Sequence, residues 1–186
     1  MPRTPAELRL FVAVDPTPDL AAALLAEIDK CPEITDLRRV AAGQIHLTLQ
    51  FIGETPARHL DEVAESCRRA AAGLEPFELR PIDLIRLPER GPARLVAART
   101  DAPATLLELQ RRLAHRLARS PRARAGDRFL PHLTLGRFRS PRPLPPLRRP
   151  LDLPPATITE IRLMRSVLAP TGAVHRLVEA VPLGKP

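Results

Sequence analysis

The chain has 186 residues, 44% hydrophobic and 27% charged. That is enough apolar material for the core of one ordinary domain or two small lobes, and too much for a disordered chain. The formal charge is +8, and all but two of the 29 basic residues are arginine, the exceptions being Lys30 and Lys185; a planar guanidinium suits phosphate, although genome composition accounts for the same bias. Cys31 and Cys67 with no CxxC exclude a disulfide scaffold and a cysteine-rich zinc site. No apolar run approaches the roughly 18 residues of a membrane span, and Met1 to Leu8 carries no apolar signal segment, so a cytoplasmic location is expected. Five Phe with no Trp or Tyr exclude a binder built on many aromatic platforms.

In chain order, Leu8 to Val14 reads as a buried strand, and Asp19 to Lys30 as a helix with Leu20, Ala23, Leu24 and Ile28 on one stripe. Ile45 to Ile52 reads as a strand ended by Gly53, with Thr55 as N-cap and Pro56 as first residue of a helix to about Ala72. Phe77 to Leu87 is extended, Arg94 to Thr100 a strand, Leu106 to Arg119 a helix, and Leu130 to Phe138 a strand. Ser140 to Pro155 holds seven prolines and reads as an extended connector. Ile158 to Val167 and Val174 to Val181 close the chain around a turn at Pro170, Thr171 and Gly172. The pattern predicts an α+β fold with largely antiparallel sheets and helices packed outside.

The chain contains an internal repeat. A strand, a helix and the run HLTL recur in that order, with 31 positions from Asp15 to His46 and 31 from Asp101 to His132, an offset of 86. We read one bilobal domain over 1–186: a first copy over about 8–72, a second over about 94–138, and closing strands over about 156–182. Two lobes related by a pseudo-twofold would face each other across a central cleft.

On a strand, side chains alternate between faces. His46 and Thr48 therefore share a face while Leu47 and Leu49 take the other, and His132 and Thr134 stand likewise against Leu133 and Leu135. Two imidazoles and two hydroxyls around one cleft suit phosphodiester cleavage. Histidine exchanges protons near neutral pH, so one ring can serve as base and the other as acid. The hydroxyls can donate to phosphoryl oxygens. No nucleophile motif, phosphate loop or metal-ligand spacing appears, so a reaction without metal or cofactor is expected.

These residues resemble the two-histidine (2H) phosphoesterase superfamily, in its RNA 2',3'-cyclic phosphodiesterase branch, also called 2'-5' RNA ligase. The likeness rests on Arg9 to Ala13, on Ile45 to Glu54, on Pro92 to Val96, on Arg128 to Arg137, and on the closing segment with Leu168 to Gly172 and Leu177. It implies hydrolysis of a 2',3'-cyclic phosphate, at an RNA end or on a nucleoside, to a 2'-phosphomonoester. It also implies His46 and His132 as the acid/base pair, Thr48 and Thr134 as phosphate binders, Arg137 as a further phosphate contact and Phe51 as a base-stacking residue. Arg137 and Phe51 have the wrong parity for the His/Thr face of an ideal strand. Gly136 can mark a bulge that re-aims Arg137; no such device is evident for Phe51, which reads equally as a core residue. With Arg137 on its strand, His132 is expected to be the base and His46 the acid. The chain departs from the family at Val40 and Ala41, where an aromatic is usual, and at His175, where the family often has Tyr.

Two other readings of the same motifs stand beside hydrolysis: 2'-5' RNA ligation as the main activity, and RNA or nucleotide binding without catalysis. RNA ends or cyclic nucleotides are the expected partners; no protein partner or membrane contact is indicated, and a monomer is expected. His59 and His115 read as surface residues. The basic run Arg111, Arg112, Arg116, Arg119, Arg122, Arg124 and Arg128 reads either as a solvated face or as a track for an RNA backbone.

Overall fold

The computed structural model describes residues 7–118, 129–169 and 172–184. In chain order the elements are β1 (Glu7–Val14), α1 (Pro18–Asp29), β2 (Arg38–Arg39), β3 (Leu47–Pro56), α2 (Leu60–Ala71), β4 (Phe77–Leu79), β5 (Pro81–Leu87), β6 (Ala93–Thr100), α3 (Ala104–Leu117), β7 (His132–Arg142), β8 (Arg148–Pro150), β9 (Ala156–Ile158), β10 (Glu160–Ala169) and β11 (Gly172–Pro182). The main sheet runs β11-β10-β1-β3-β7-β6-β5-β8, with β2 paired to β7, and β4 pairs with β9 in a small second sheet. Every strand pair is antiparallel. The α+β architecture read from the sequence is the one observed.

The sheet has two four-stranded halves. The first, β11-β10-β1-β3, meets the second, β7-β6-β5-β8, at a single pair, Leu47 opposite Leu133. Both leucines are fully buried. The core lies on one face, where Leu10, Val12, Leu47, Leu49, Leu133 and Leu135 pack with Leu24 of α1, Cys67 of α2, and Leu109 and Leu113 of α3. Burying one such side chain contributes on the order of 1.5–3 kcal/mol, so this face anchors the strands that carry the histidines. Phe11, Ala13, Ile85 and Ala97 are buried outside that cluster.

Several local expectations need correction. β3 does not end at Gly53, which adopts φ +83, but continues to Pro56. Thr55 is therefore no N-cap; it is buried in the strand, and its hydroxyl donates to the Gly53 carbonyl at 3.2 Å. α2 begins at Leu60 after a short 3-10 turn over Ala57–His59. The proline-rich connector contributes β8, which pairs with β5. The turn residues Pro170 and Thr171, and Arg119, Arg122, Arg124 and Arg128 of the basic run, lie outside the described residues.

Candidate active site

Both histidines are held alike. The Nδ1 of His46 lies 2.9 Å from the Gln44 carbonyl oxygen, and the Nδ1 of His132 lies 2.8 Å from the Leu130 carbonyl oxygen, in each case two residues upstream. A carbonyl oxygen only accepts, so Nδ1 carries the proton in both rings. Nε2 is then the atom that exchanges a proton with a ligand. The bond also fixes the ring orientation, as a third group orients the imidazole wherever histidine acts as a base.

The Leu47–Leu133 pair sets the register between the two motifs. On antiparallel strands it puts His46 level with Thr134 and Thr48 level with His132, all on the face opposite the leucines. The four side chains are half-buried, open to solvent on one side. Ala13 lies opposite Thr48 and Ala97 opposite Thr134, both small and fully buried.

A β-bulge occurs at the same place in each copy. On β3, Thr48 pairs with Ala13 and Gln50 with Val12, so Leu49 is the extra residue. On β7, Thr134 pairs with Ala97 and Gly136 with Val96, so Leu135 is the extra residue. Beyond the bulges Phe51 pairs with Phe11, two positions from Ala13, and Arg137 pairs with Leu95, two positions from Ala97. Residues two apart on a strand share a face. Phe51 therefore joins the face of Thr48, and Arg137 the face of Thr134, each re-aimed by its bulge. Gly136 also gives room for the segment before β7's partner β2: a Cβ there would stand 2.5 Å from Leu37 Cδ2 and 3.1 Å from the Arg38 carbonyl oxygen.

The electrostatics of His46 are dominated by its burial. Burial holds the His46 imidazole below its ordinary proton affinity, and the charges of Arg137 and His132 push in the same direction against the Gln44 hydrogen bond. Arg137 thus bears on His46 across the seam, and also on His175. The sequence reading sets Arg137 beside His132 on β7; the structure also brings its charge to bear on His46. Opposite His132 on β6 stands Arg99, gripped at 2.8 and 2.7 Å by both carboxylate oxygens of the buried Asp83.

A family model described as the 2'-5' RNA ligase superfamily matches residues 12–168. The chain belongs to the 2'-5' RNA ligase superfamily. Within it, a Thermus thermophilus protein named RNA 2',3'-cyclic phosphodiesterase is 30% identical over 187 residues, which cover 95% of this chain and 90% of that protein. A protein of the same name from Methanothermobacter thermautotrophicus is 27% identical over 191 residues, covering 95% of this chain and all of that one. Among solved structures, one from Thermus thermophilus has a TM-score of 0.78 at 29% identity, covering 95% of this chain and 98% of that one. E. coli LigT complexed with 3'-AMP has a TM-score of 0.76 at 27% identity, covering 97% of this chain and 100% of that one.

Against this superfamily frame, the structure brings His46, Thr48, Phe51, His132, Thr134 and Arg137 onto one face. Phe51 is 71% exposed, so it is not a core residue; its ring lies 6.2 Å from that of Phe11. Sequence reasoning missed two neighbours. Phe11 lies 5.0 Å from the His46 ring, and His175 lies 5.0 Å from it at 89°. A third histidine on the closing strand was the available signal, but the cross-sheet register that brings β11 near β3 was not legible. His59 pairs with Glu62 and His115 is exposed on α3, away from the motifs. Arg111 and Arg112 are tied to Glu108 at 2.8 Å, which favours a solvated face for the described part of the basic run. Among the described residues no three His, Cys, Asp or Glu side chains form a metal-holding group, and no helix is long and apolar enough to cross a membrane.

Proposed function

We propose that this chain is an RNA 2',3'-cyclic phosphodiesterase, opening the 2',3'-cyclic phosphate of an RNA end or a nucleoside to a 2'-phosphomonoester. The reaction class is supported by the superfamily and by the curated relatives of that name. The observation that carries the mechanism is the shared tether of His46 and His132, which commits both Nε2 atoms to proton transfer.

Water attacks phosphorus in line with O3', and the P–O3' bond breaks. One imidazole takes the water proton as the P–O bond forms, and the other delivers a proton to the departing O3'. We assign the first role to His46, whose lowered proton affinity keeps it neutral, and the second to His132. Thr48 and Thr134 donate to the non-bridging oxygens, Arg137 offsets their charge and Phe51 stacks on the base. A 2'-5' join would use the same two transfers in the same sense, with an RNA 5'-hydroxyl attacking phosphorus in place of water and O3' again leaving. On this reading the enzyme is a cytoplasmic monomer that needs neither metal nor cofactor.

The test is turnover of a nucleoside 2',3'-cyclic phosphate in EDTA, with the product isomer identified by phosphorus NMR. The expected result is undiminished turnover to the 2'-phosphate alone. Loss of activity in chelator restored by zinc or manganese, or release of the 3'-phosphate, would overturn the proposal.

A further inference from the structure

The two histidines share a tether but not its support. Gln44, whose carbonyl holds His46, also turns its side chain toward β11: its Oε1 accepts from the His175 backbone N–H at 2.8 Å, and its Nε2 donates to the His175 carbonyl at 3.4 Å. One residue thereby fixes His46 and the backbone of His175 together. The residue 86 positions later is Leu130, whose carbonyl holds His132 in the same way but whose side chain has no amide to repeat the clamp.

The clamp sets His175 within an aromatic trio. Its ring is 5.0 Å from His46 and 4.9 Å from Phe11, edge-on to both, and Phe11 is 5.0 Å from His46. The His175 Nδ1 is buried without a hydrogen-bond partner. A protonated imidazole would leave a buried N–H unsatisfied there, at a cost of about 1–3 kcal/mol, so the ring belongs in its neutral form with the proton on Nε2. β11 is the outermost strand of its half-sheet, bonded to β10 on one side only. The Gln44 clamp is what ties its His175 position to the turn before β3.

We propose that Gln44 and His175 are positioning residues for His46: Gln44 tethers the His46 ring through its carbonyl and holds β11 through its amide, so that the neutral His175 ring packs edge-on against His46. The pair makes one of two duplicated histidines unlike the other, and so assigns them different roles from an otherwise equivalent frame. A supporting contact of this kind matters because a misplacement near 1 Å in a proton-transfer group costs up to about 100-fold in rate. The inference rests on His46 being a proton-transfer residue. The charged and titratable groups bearing on the two rings are His132 and Arg137 from β7 and Asp15 from the end of β1.

The experiment compares Gln44→Leu, which copies the second repeat, with His175→Ala and His175→Phe. It measures kcat and KM on a nucleoside 2',3'-cyclic phosphate, and the His46 ring titration by nitrogen NMR. Gln44→Leu and His175→Ala should each lower kcat about tenfold with KM nearly unchanged, and should move the His46 titration up toward the ordinary value as water reaches the ring. His175→Phe should recover most of the kcat that His175→Ala loses, because it restores the packing ring. Wild-type kcat and an unmoved His46 titration in Gln44→Leu and His175→Ala would overturn the proposal. Should Gln44→Leu fail to fold, the two His175 variants, on an edge strand, decide alone. An inactive wild-type protein would refute the reaction, whereas the His46 titration would still test the positioning.

Discussion

Leu47 lies directly opposite Leu133 where the two half-sheets meet, and these are the same residue of the two HLTL runs, 86 positions apart. When equivalent residues of a repeat pair antiparallel, the local twofold axis passes between them. The symmetry then generates the rest of the site: each histidine faces the other motif's threonine, each bulge falls on the fourth residue of its run, and Phe51 and Arg137 occupy equivalent positions. One frame thus presents an aromatic ring from the first copy and a cation from the second, the two groups that the proposed function assigns to base and phosphate.

Phe51 is 71% exposed, so its replacement tests binding with little effect on folding. Phe51→Ala should leave stability within about 0.5 kcal/mol of wild type. It should raise KM for a base-bearing cyclic phosphate by roughly 5- to 150-fold, the equivalent of about 1–3 kcal/mol of stacking. Steady-state kinetics on a cyclic phosphate lacking the base should show no such change.

Gly136 is required by the approach of Leu37 and Arg38. Gly136→Ala should destabilise the fold by about 1–3 kcal/mol through overpacking, read as a lowered unfolding midpoint in denaturant. Adding Leu37→Ala, which removes the colliding side-chain atoms, should return part of that loss in a double-mutant cycle.

Much of this was legible in the sequence, and the parts that were not have identifiable physical reasons. Alternation placed the His/Thr pairs and their leucine anchors because it needs only the strand period. The Arg137 bulge was legible because a glycine marks it. The matching bulge at Leu49 carries no glycine, so Phe51 read equally as core. The Thr55 cap failed because Gly53 bends β3 without ending it. His175, Gln44 and the reach of Arg137 to His46 depend on which strands adjoin across the sheet, a long-range property that local pattern does not carry.

Burial first, and the charge of Arg137 after it, push His46 toward its neutral form. A base must be neutral to act, so the acidic limb of kcat/KM should lie below the ordinary histidine value of 6.5. In Arg137→Gln the repulsion is removed and protonation becomes easier, so that limb should move up in pH while the maximum falls through lost phosphate binding. A pH–rate profile of the two proteins checks the sign; a limb that stays in place would assign it to another group.

The central claim is that His46 and His132 divide one proton-transfer task, and a substrate whose leaving atom needs no proton tests it most directly. Replacing O3' of the cyclic phosphate by sulfur provides such a leaving group. On the ordinary substrate His46→Ala and His132→Ala should each lose about 10²–10⁴-fold. On the sulfur substrate, single-turnover rates should return to near wild type for His132→Ala and stay low for His46→Ala. Rescue of His46→Ala instead would exchange the two roles, and rescue of neither would contradict the acid/base account.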